Sequence, residues 1–400
     1  MSKHILFLST LNLATNPRLV KEIELADNNH FKVTVISFEF DNWSKNSNDN
    51  IKNRFKNINF LTVPTSRRYF ALWFWSTVKT KLYRFVCDFH NLTLRQKSQL
   101  ISNRSDKILK YLNCVSKVDL VIGHNPGAIY PTLFAADKFG CDSAFDVEDY
   151  HPGEGSDRKV SKITMDVMNY CLPKFSYVSF ASDLFQNRIE SEISIKIKNR
   201  FTILNYFKSE EFIYNSKYIS DKIKFVWFSQ NISKGRGLEQ ILYLFQQPNS
   251  NLELHLYGEL DQKFYQDFIS GNSNIFIHSD FSQVDLHREL SLYDIGFAID
   301  MPVDENRKLA ITNKILAYLQ AGLFIFASDI PSHRFIFEKH SVNGMVTSMT
   351  KSGISLSLSK IQSTINDIRI NRKDRFERSR QFCWELESHQ LINSWQSLLN

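Results

Sequence analysis

The chain lacks the run of about 20 consecutive apolar residues that a membrane-spanning helix needs. Its first residues, MSKHILFLSTLNLATNPR, form a strand-like run without a small-residue cleavage site. The five cysteines lack CxxC spacing and therefore predict neither a zinc site nor a disulfide framework. Buried free thiols are the simpler interpretation. Together these absences predict a cytoplasmic protein without structural metal or disulfides.

The composition is that of a globular protein. Of the 400 residues, 43% are hydrophobic and 23% are charged. A chain of this length exceeds one ordinary hydrophobic core and predicts two domains.

Positive charge is concentrated in the first quarter of the chain. Residues 1–110 carry a net charge of +10, whereas the whole chain carries +7. This asymmetry favours an anionic partner surface, either nucleic acid or membrane.

Short apolar runs alternate with helical patterns in two successive blocks. The first block contains HILFLS, FKVTVIS, VDLVIG, SAFDVE, YVSFAS and FTILN, and the second contains IKFVWFS, LELHLYG, NIFIH, DIGFAID and LFIFAS. This βαβ rhythm predicts an α/β protein with two Rossmann-like domains facing each other across a cleft. We place the first domain at residues 1–205, a linker at 206–222 and the second domain at 223–400. The helical spacing of the last residues predicts a terminal helix in the second domain.

The stretch WFSQNISKGRGLEQIL contains a basic, glycine-rich turn after a predicted strand. Lys234 and Arg236 can neutralise phosphate charge, and glycines let the backbone approach a ligand. We expect a helix to begin at this turn and to offer free N–H groups to a diphosphate. A solvated basic turn is the alternative. Gly258, in LYGELDQ, marks a second turn of the same kind.

The stretch NKILAYLQAGLFIFAS predicts a short helix, a glycine stop and a buried strand. Asn313 is a candidate N-cap, and Lys314 adds positive charge to the first helical turn, where an anion can bind. Gly322 is expected to end the helix. Ordinary helix capping is the alternative interpretation.

The first block contains a second group of candidate residues. His124 follows a predicted strand in VIGHNPGAIYP, where α/β enzymes place working residues. A further strand end, FDVEDYHPGE, gathers five ionisable residues: Asp146, Glu148, Asp149, His151 and Glu154. Such a cluster can hold a metal, act as acid or base, or bind sugar hydroxyls. A solvated acidic loop without a binding role is the alternative interpretation.

The stretch from Arg67 to Val86, RRYFALWFWSTVKTKLYRFV, mixes aromatic and basic residues. This mixture suits the headgroup region of an anionic membrane. A core helix and nucleic-acid stacking are alternatives, although no nucleic-acid-binding motif accompanies the stretch.

The ordered series of motifs resembles the retaining glycosyltransferases of family 4, which have the GT-B fold. The resemblance covers most of the chain and rests on NPRLVKEIELA, HNPGAIYPTLFAADKFG, FDVEDYH, FTILNYF, SKGRGLEQIL, LYGEL and NKILAYLQAGLFIFASDIP. It implies transfer of a sugar from a nucleotide sugar to an acceptor, without a cofactor or a required metal. It also implies that the second domain binds the nucleotide and that the first faces the acceptor.

The resemblance assigns the candidate residues to three groups. The catalytic candidates are His124, Glu148, Asp149 and Arg236. The candidates for binding the donor are Gln230, Lys234, Arg236, Gly258, His278, Ser279, Glu305, Asn306, Thr312, Asn313 and Lys314. The candidates on the acceptor side are Asn12, Asn16, Arg18, Asp146 and His151.

The sequence departs from the family pattern at three positions. Gln230 stands where the family usually has arginine. Leu309 and Ala317 stand where it usually has two glutamates, the second of which holds the nucleotide ribose. We expect Glu305 or Asn306 to hold the ribose instead, or the donor to differ, while Lys314 compensates in charge.

The resemblance predicts a glycosyltransferase of bacterial surface polysaccharide synthesis, making capsule, O-antigen or exopolysaccharide. Its acceptor would be a glycan or lipid-linked glycan. The stretch from Arg67 to Val86 would dock it peripherally on the plasma membrane, with no nucleic-acid partner. The alternatives are a nucleotide-sugar epimerase of the same fold, a degenerate non-catalytic partner subunit, and a metal-dependent transferase using Asp146, Glu148 and Asp149.

Overall fold

The computed structural model describes residues 2–42, 44–65, 78, 80, 81, 83, 91–216, 220–246 and 250–400. The chain divides into two compact units. Unit 1 comprises Met1–Ile203 with Ser388–Asn400, and unit 2 comprises Leu204–Glu387. The predicted membrane stretch from Arg67 to Val86 lies outside the described residues apart from four isolated positions.

Unit 1 is built on a parallel sheet. In the described part of this unit the strand order is β3-β2-β1-β4-β5-β6-β7, with adjacent strands parallel. This order reverses between β1 and β4, as in dinucleotide-binding folds. The strands are β1 His4–Ser9, β2 Lys32–Glu39, β3 Asn59–Pro64, β4 Leu120–His124, β5 Asp142–Val147, β6 Tyr177–Phe180 and β7 Arg200–Thr202.

Helices connect these strands in the βαβ manner. Helix α1 begins after Asn16, whose side chain accepts a hydrogen bond from the Leu19 amide. Among the described residues before 203, the continuous helices are α1 Pro17–Asn28, α2 Lys45–Arg54, α3 Leu94–Ile101, α4 Ser105–Tyr111, α5 Ile129–Phe139, α6 Arg158–Cys171 and α7 Asp183–Glu192.

Unit 2 has a second parallel sheet. Its order over the described residues is β10-β9-β8-β11-β12-β13, which again reverses direction, here between β8 and β11. The strands are β8 Ile223–Ile232, β9 Leu252–Leu260, β10 Ile275–His278, β11 Ile295–Ala298, β12 Phe324–Ser328 and β13 Gly344–Thr347. The prediction of two Rossmann-like domains is confirmed.

The longer helices of unit 2 follow its strands. They are α8 Gln283–Glu289, α9 Glu305–Leu309, α10 Asn313–Gln320, α11 Pro331–Lys339, α12 Lys351–Ile370, α13 Arg372–Ser379 and α14 Trp384–Glu387.

Both faces of the second sheet are buried. Phe225 and Trp227 of β8 join one apolar cluster with α12, whereas Val226 between them joins another with α10. Successive side chains of a strand point to opposite faces, so this alternation shows that helices cover the sheet on both sides. Burial on both faces explains why the apolar runs in the sequence are uninterrupted.

The end of the chain differs from the predicted single terminal helix of the second domain. It forms three helices, and the last, α15 His389–Leu399, belongs to unit 1. Trp395 is fully buried there, packs edge-on against Phe7 and Phe31, and donates a hydrogen bond to the Tyr177 hydroxyl at 2.8 Å. Burial of this large aromatic surface holds the chain end on the first sheet.

The predicted linker at residues 206–222 also differs from the structure. Tyr206, Phe207 and Phe212 are buried in the core of unit 2, and the Phe207 amide donates to the Gln320 side chain at 2.9 Å. The polar residues between these aromatics concealed their periodicity. The segment is therefore part of the packed unit.

None of the helices in the described ranges is both long and apolar enough to cross a membrane.

Candidate functional site

The carboxyl ends of the strands in unit 1 carry a row of polar residues. Sheet register places Ser9, His124, Asp146 and Ser179 beside one another on β1, β4, β5 and β6. Residues in one row of a parallel sheet point to the same face. The sequence therefore brings His124 and Asp146 together although 22 positions separate them.

Helix α1 supplies the charges that meet this row. Arg18 is 4% exposed, and its Nε and Nη2 atoms donate to the two carboxylate oxygens of Asp146, the latter at 2.7 Å. Asp146 also accepts from the Ser179 hydroxyl, and Arg18 donates to the Ile203 carbonyl at 2.6 Å. Burial opposes ionisation of Asp146, but Arg18 lowers the pKa of Asp146 below its usual value.

His124 lies between two other carboxylates. Its Nδ1 atom is 2.9 Å from Glu148 Oε1, and its Nε2 atom is 3.4 Å from Glu22 Oε2. Burial alone would lower the pKa of His124, but Glu22 and Glu148 raise it to about 10. The imidazole therefore carries a proton at neutral pH and is held by charge on both sides.

Glu22, His124 and Asp146 also meet the spacing of a metal-binding group, with one ligand atom each within 4.8 Å. The donor set does not fit a cation. Both oxygens of Asp146 accept hydrogen bonds from the Arg18 guanidinium, which would repel a metal ion beside it. We interpret the group as a charge-paired core.

We expect the stability conferred by His124 to depend on pH. A histidine with a raised pKa stabilises the folded state fully below its unfolded pKa of about 6.5, and this stability is lost as pH rises through the folded value of about 10. The free energy of unfolding of the wild type, measured by urea denaturation, should therefore fall between these pH values. In His124→Gln the fall should be much smaller. Equal slopes in the two proteins would contradict this assignment.

Most predicted acceptor-side residues make internal contacts. Asn12 and Asn16 cap the starts of a 3₁₀ turn and of α1, and both are buried. Arg18 and Asp146 neutralise each other. His151 is 7% exposed and lies 3.3 Å from Glu154. These contacts give the residues structural positions in the fold.

Glu148 and Asp149 are the partly exposed members of the acidic stretch. They follow β5 directly, and Glu148 accepts hydrogen bonds from Asn125 at 3.1 Å and from His124. Asn125 has a positive φ of 70°, which is uncommon for a residue other than glycine. The loops after β4 and β5 are thereby tied together at the edge of the sheet.

Unit 2 contains a pocket of about 500 Å³ at the carboxyl ends of its strands. Phe228, Ser229 and Gln230 of β8 form one wall, and Gly258 and Glu259 of β9 form another. The remaining lining residues are Phe207, Ser279, Asp280, Phe281, Gln283, Leu286, His287 and Asn313. Its size and mixed lining are those of a small-molecule site. This pocket, named here the strand-end pocket, collects the predicted residues Gln230, Gly258, Ser279 and Asn313.

Gly258 is required by the backbone at this point. A β-carbon at position 258 would lie 2.3 Å from the carbonyl oxygen of Ser229, and φ is 150°. The register of β8 and β9 shifts beside it, between Phe228 and Asn231. The close approach of β9 to β8 requires glycine here, and Gly258 lines the strand-end pocket.

The basic turn differs in part from its prediction. Two 3₁₀ segments, Leu238–Gln240 and Leu242–Phe245, follow it instead of an α-helix, so a long helix dipole does not point at the turn. Gly237 has φ 84° and would clash with Ile299 through any β-carbon. Lys234 and Arg236 are exposed and have no ion-pair partner within the described residues. Their charges remain available to an anion.

Helix α10 begins one residue earlier than predicted, because Thr312 and not Asn313 is its N-cap. The Asn313 side chain accepts a hydrogen bond from Asn205 at 2.9 Å instead. Lys314 lies 2.9 Å from Asp300, and the Thr312 hydroxyl donates to the same carboxylate at 3.1 Å. Burial raises the pKa of Asp300, but Lys314 and His333 lower it well below its usual value. The charge of Lys314 is therefore partly neutralised within the protein.

The residues predicted to hold the ribose lie outside the strand-end pocket. Glu305 pairs with Lys308 on α9, and neither Glu305 nor Asn306 lines the pocket. Ala317 is fully buried in the apolar core of α10. A carboxylate at position 317 would have to be buried in that core.

His278 takes part in an aromatic stack. Its ring lies 4.3 Å from the Tyr257 ring, and its Nε2 atom is 3.0 Å from Nδ1 of His255. Burial lowers the pKa of His278, so the stack is neutral at pH 7. Of the two predicted residues His278 and Ser279, only Ser279 lines the strand-end pocket.

Sequence reasoning missed several residues of this region. Asp300 follows β11 and anchors Lys314, and Glu259 and Asp280 supply the carboxylates of the pocket lining. Their signal was available, since Glu259 lies at the carboxyl end of β9 and the other two follow the carboxyl ends of their strands. His287 gave no such signal, because its pairing with Glu211 at 2.7 Å joins distant segments.

No known protein-family model and no curated protein sequence matches the chain. Solved structures match it over their whole length. HepE of Anabaena, in its complex with UDP, has a TM-score of 0.68 at 14% identity, covering 100% of both chains. Sucrose-phosphate synthase of Thermosynechococcus elongatus has a TM-score of 0.65 at 11% identity, covering 99% of each chain.

The chain has the GT-B fold. A third GT-B match, a putative UDP-N-acetylglucosamine 2-epimerase of Listeria monocytogenes, has a TM-score of 0.58 at 10% identity and covers 99% of this chain and 96% of its own. At these identities the likeness extends to the fold alone. The GT-B architecture accounts for the two parallel sheets and for the return of the last helix to unit 1.

Proposed function

We propose that the chain is a glycosyltransferase that binds a nucleotide sugar in the strand-end pocket. The observation that carries this proposal is the position of the pocket, at the carboxyl ends of β8 and β9 beside the start of α10. Ligands of open α/β sheets bind at this edge. HepE, which shares the fold, has been crystallised with UDP and with UDP-glucose, which supports a nucleotide-sugar donor.

The proposed mechanism relies on electrostatic stabilisation of the leaving diphosphate. Lys234 and Arg236 are exposed cations without partners among the described residues. They lie in the turn after β8, where they can bind a diphosphate. Such cations perform the role that a metal has in other transferases, so we propose transfer without a required metal. Retention of configuration and membership of family 4 are proposed on the sequence resemblance.

The carboxylates of the pocket suggest how the ribose is held without Glu at positions 309 and 317. Glu259 and Asp280 line the strand-end pocket, and both are exposed to it. Carboxylates accept hydrogen bonds from sugar hydroxyls. We propose that one of them takes the place of the family's ribose-binding glutamate.

Nucleotide titration tests the proposal. We expect calorimetry with UDP, GDP, ADP, CMP and TDP to show saturable binding of one nucleotide, unchanged by EDTA. Ser279→Trp should weaken this binding at least about tenfold, because the indole fills space in the pocket. Loss of binding on chelation would contradict metal independence. Binding of none of the five would favour a non-catalytic partner subunit.

Ser359→Trp is the matched control. Ser359 is exposed on α12 and does not line the strand-end pocket. This variant should bind the nucleotide like the wild type, and both variants should keep the wild-type melting temperature. Equal weakening in the two variants would remove the assignment to the pocket.

Epimerisation of a nucleotide sugar is the second candidate, because the Listeria protein described as a putative epimerase shares the fold. An epimerase needs no acceptor. Release of an epimerised sugar nucleotide from protein and donor alone would favour it, whereas transfer only when an acceptor is added would favour the transferase.

We further propose a setting in bacterial surface polysaccharide synthesis, with a glycan or lipid-linked glycan acceptor. The basic and aromatic stretch from Arg67 to Val86 supports peripheral docking on an anionic membrane. Sedimentation with anionic liposomes at moderate salt tests the docking separately from nucleotide binding.

A further inference from the structure

A second pocket, of about 360 Å³, lies in unit 2 at the carboxyl-terminal ends of α10, α11 and α13. It is named here the Arg375 pocket. Six residues that carry the argument line it: Gly322, Lys339, His340, Arg375, Arg378 and Phe382. None of its lining residues lines the strand-end pocket.

Arg375 is buried without a counter-ion. It is 7% exposed, and its Nε atom donates to the Gly322 carbonyl at 3.0 Å. Within the described residues no carboxylate lies within 4 Å of it, and its terminal nitrogens have no hydrogen-bond partner. These nitrogens are also not enclosed by protein, so they face the open space of the pocket.

The surroundings make this charge costly. Burial, followed by the neighbouring guanidinium groups of Arg372 and Arg378, lowers the pKa of Arg375 to about 10. The group therefore stays protonated at neutral pH although it is desolvated among like charges. A bound anion would relieve this cost.

The rest of the lining adds positive charge. Lys339 and Arg378 border the pocket, and none of the residues that the structure shows lining it is a carboxylate. Arg378 is paired with Asp374 at 2.9 Å, but its side chain is 57% exposed, so the pair is weak. Ser341, Asn343 and Gln381 supply further hydrogen-bond donors.

The hydrogen bond to Gly322 explains only part of Arg375. The Arg375 Nε atom donates to the carbonyl of Gly322, in the turn that follows α10, and this bond fixes the turn beside the helix end. That bond uses one of the five N–H groups that an arginine offers. The remaining four form a fork whose geometry matches two oxygens of a phosphate.

We propose that the Arg375 pocket binds a phosphate group, either as the free ion or as a phosphate ester on a small organic body. The pocket volume exceeds the need of the free ion. Its apolar wall, made by Leu323, Val342 and Phe382, suits the organic part of an ester. The site is independent of the proposed nucleotide site.

Helix α10 connects the two pockets. Asn313 at its start lines the strand-end pocket, and Leu319 near its end lines the Arg375 pocket. From Asn313 to Leu319 the helix rises by about 9 Å along its axis. Separate occupation of the two pockets is therefore sterically allowed.

Calorimetric titration of the full-length protein tests this site with three probes: inorganic phosphate, glucose 1-phosphate and glucose. We expect saturable binding of at least one phosphate probe and none of glucose. Tighter binding of glucose 1-phosphate would identify an ester site, and tighter binding of inorganic phosphate would identify a site for the free ion. UDP carries phosphate groups of its own, so uridine is the competitor, and saturating uridine should leave the binding unchanged. Absence of phosphate binding, or its displacement by uridine, would overturn the proposal.

Two variants locate the binding. Arg375→Gln should weaken it at least about tenfold, and Arg378→Gln, at the exposed rim, should weaken it about threefold without affecting folding. Lys360→Gln, an exposed residue of α12 outside the pocket, removes the same unit of charge and should bind like the wild type. If Arg375→Gln does not fold, the affinity of Arg378→Gln for the phosphate probe tests the location of the site. Equal affinities of Arg378→Gln and Lys360→Gln would overturn the location.

Discussion

Replacing Arg18 with methionine is expected to lower the free energy of unfolding by about 3–5 kcal/mol. The substitution removes the guanidinium that pairs with the fully buried carboxylate of Asp146 and leaves only the more distant His124, at 3.7 Å, as a cation beside it. Methionine keeps much of the packing volume, so the loss reports the uncompensated charge. Urea denaturation followed by circular dichroism measures it.

A surface pair of the same geometry provides the matched control. Arg334 donates through Nε and Nη2 to the two oxygens of Asp329, but its side chain is 64% exposed. Arg334→Met should therefore lower the free energy of unfolding far less than Arg18→Met. Adding Asp146→Asn to Arg18→Met should restore part of the loss, because it removes the unpaired charge. Similar losses of unfolding free energy for Arg18→Met and Arg334→Met would show that burial of the ion pair does not determine the size of the effect.

The effect of Arg18→Met should also shrink in acid. The pKa of Asp146 is lowered in the folded state, so the ion pair contributes its stability above the unfolded value of about 3.9 and loses it as pH falls through the folded value. Without Arg18, burial raises the pKa of Asp146, so the variant takes up a proton at a higher pH than the wild type. The difference between wild type and variant should therefore be largest near neutral pH and shrink as pH falls.

The fold could be predicted largely because its strands are buried on both faces. Runs such as FKVTVIS and IKFVWFS are apolar throughout, which distinguishes parallel strands from one-sided amphipathic ones. The strands β3 and β13 were missed, since NFLTVP is only half buried and GMVT is very short. Both lie at sheet edges, where burial leaves a weaker trace in the sequence.

Chain-end packing could not be predicted from local pattern. The spacing of apolar residues in HQLINSWQSLL indicates a helix, but it does not say which core receives Trp395. Phe7 and Tyr177, its partners, are hundreds of positions away. Likewise, the sequence around Tyr206 and Phe207 predicted a polar linker. In the structure both side chains pack in the core around α10, and the Phe207 amide donates a hydrogen bond to Gln320.

The candidate sites divide in the same way. Strand-end position predicted Gly258 and the resemblance implied Gln230 and Ser279, and all three line one pocket. The resemblance also implied Arg18, and a strand end suggested Asp146, but the complementary charges of these two residues neutralise each other in the core. Whether an ionisable residue is paired depends on contacts between distant segments, and a single sequence does not reveal those contacts.

Replacing Arg236 with alanine is expected to reduce sugar transfer about 100-fold or more, with little change in melting temperature. Loss of one preorganised charge at a leaving group has this magnitude in other enzymes. The residue is exposed and makes no ion pair with the described residues, so its removal should not disturb the fold. The measurement is the rate of nucleotide release from the donor in the presence of acceptor, together with a thermal melt.

A binding comparison locates the effect at the diphosphate even before the acceptor is identified. If Arg236 contacts the phosphates, Arg236→Ala should lose affinity for the nucleoside diphosphate and keep its affinity for the nucleoside alone. Lys360→Ala, which removes an exposed cation from α12, should change neither affinity. Equal losses for diphosphate and nucleoside would show that Arg236 acts on the base or on the shape of the pocket. Unchanged transfer in Arg236→Ala would shift the stabilising role to Lys234, the other exposed cation of the turn.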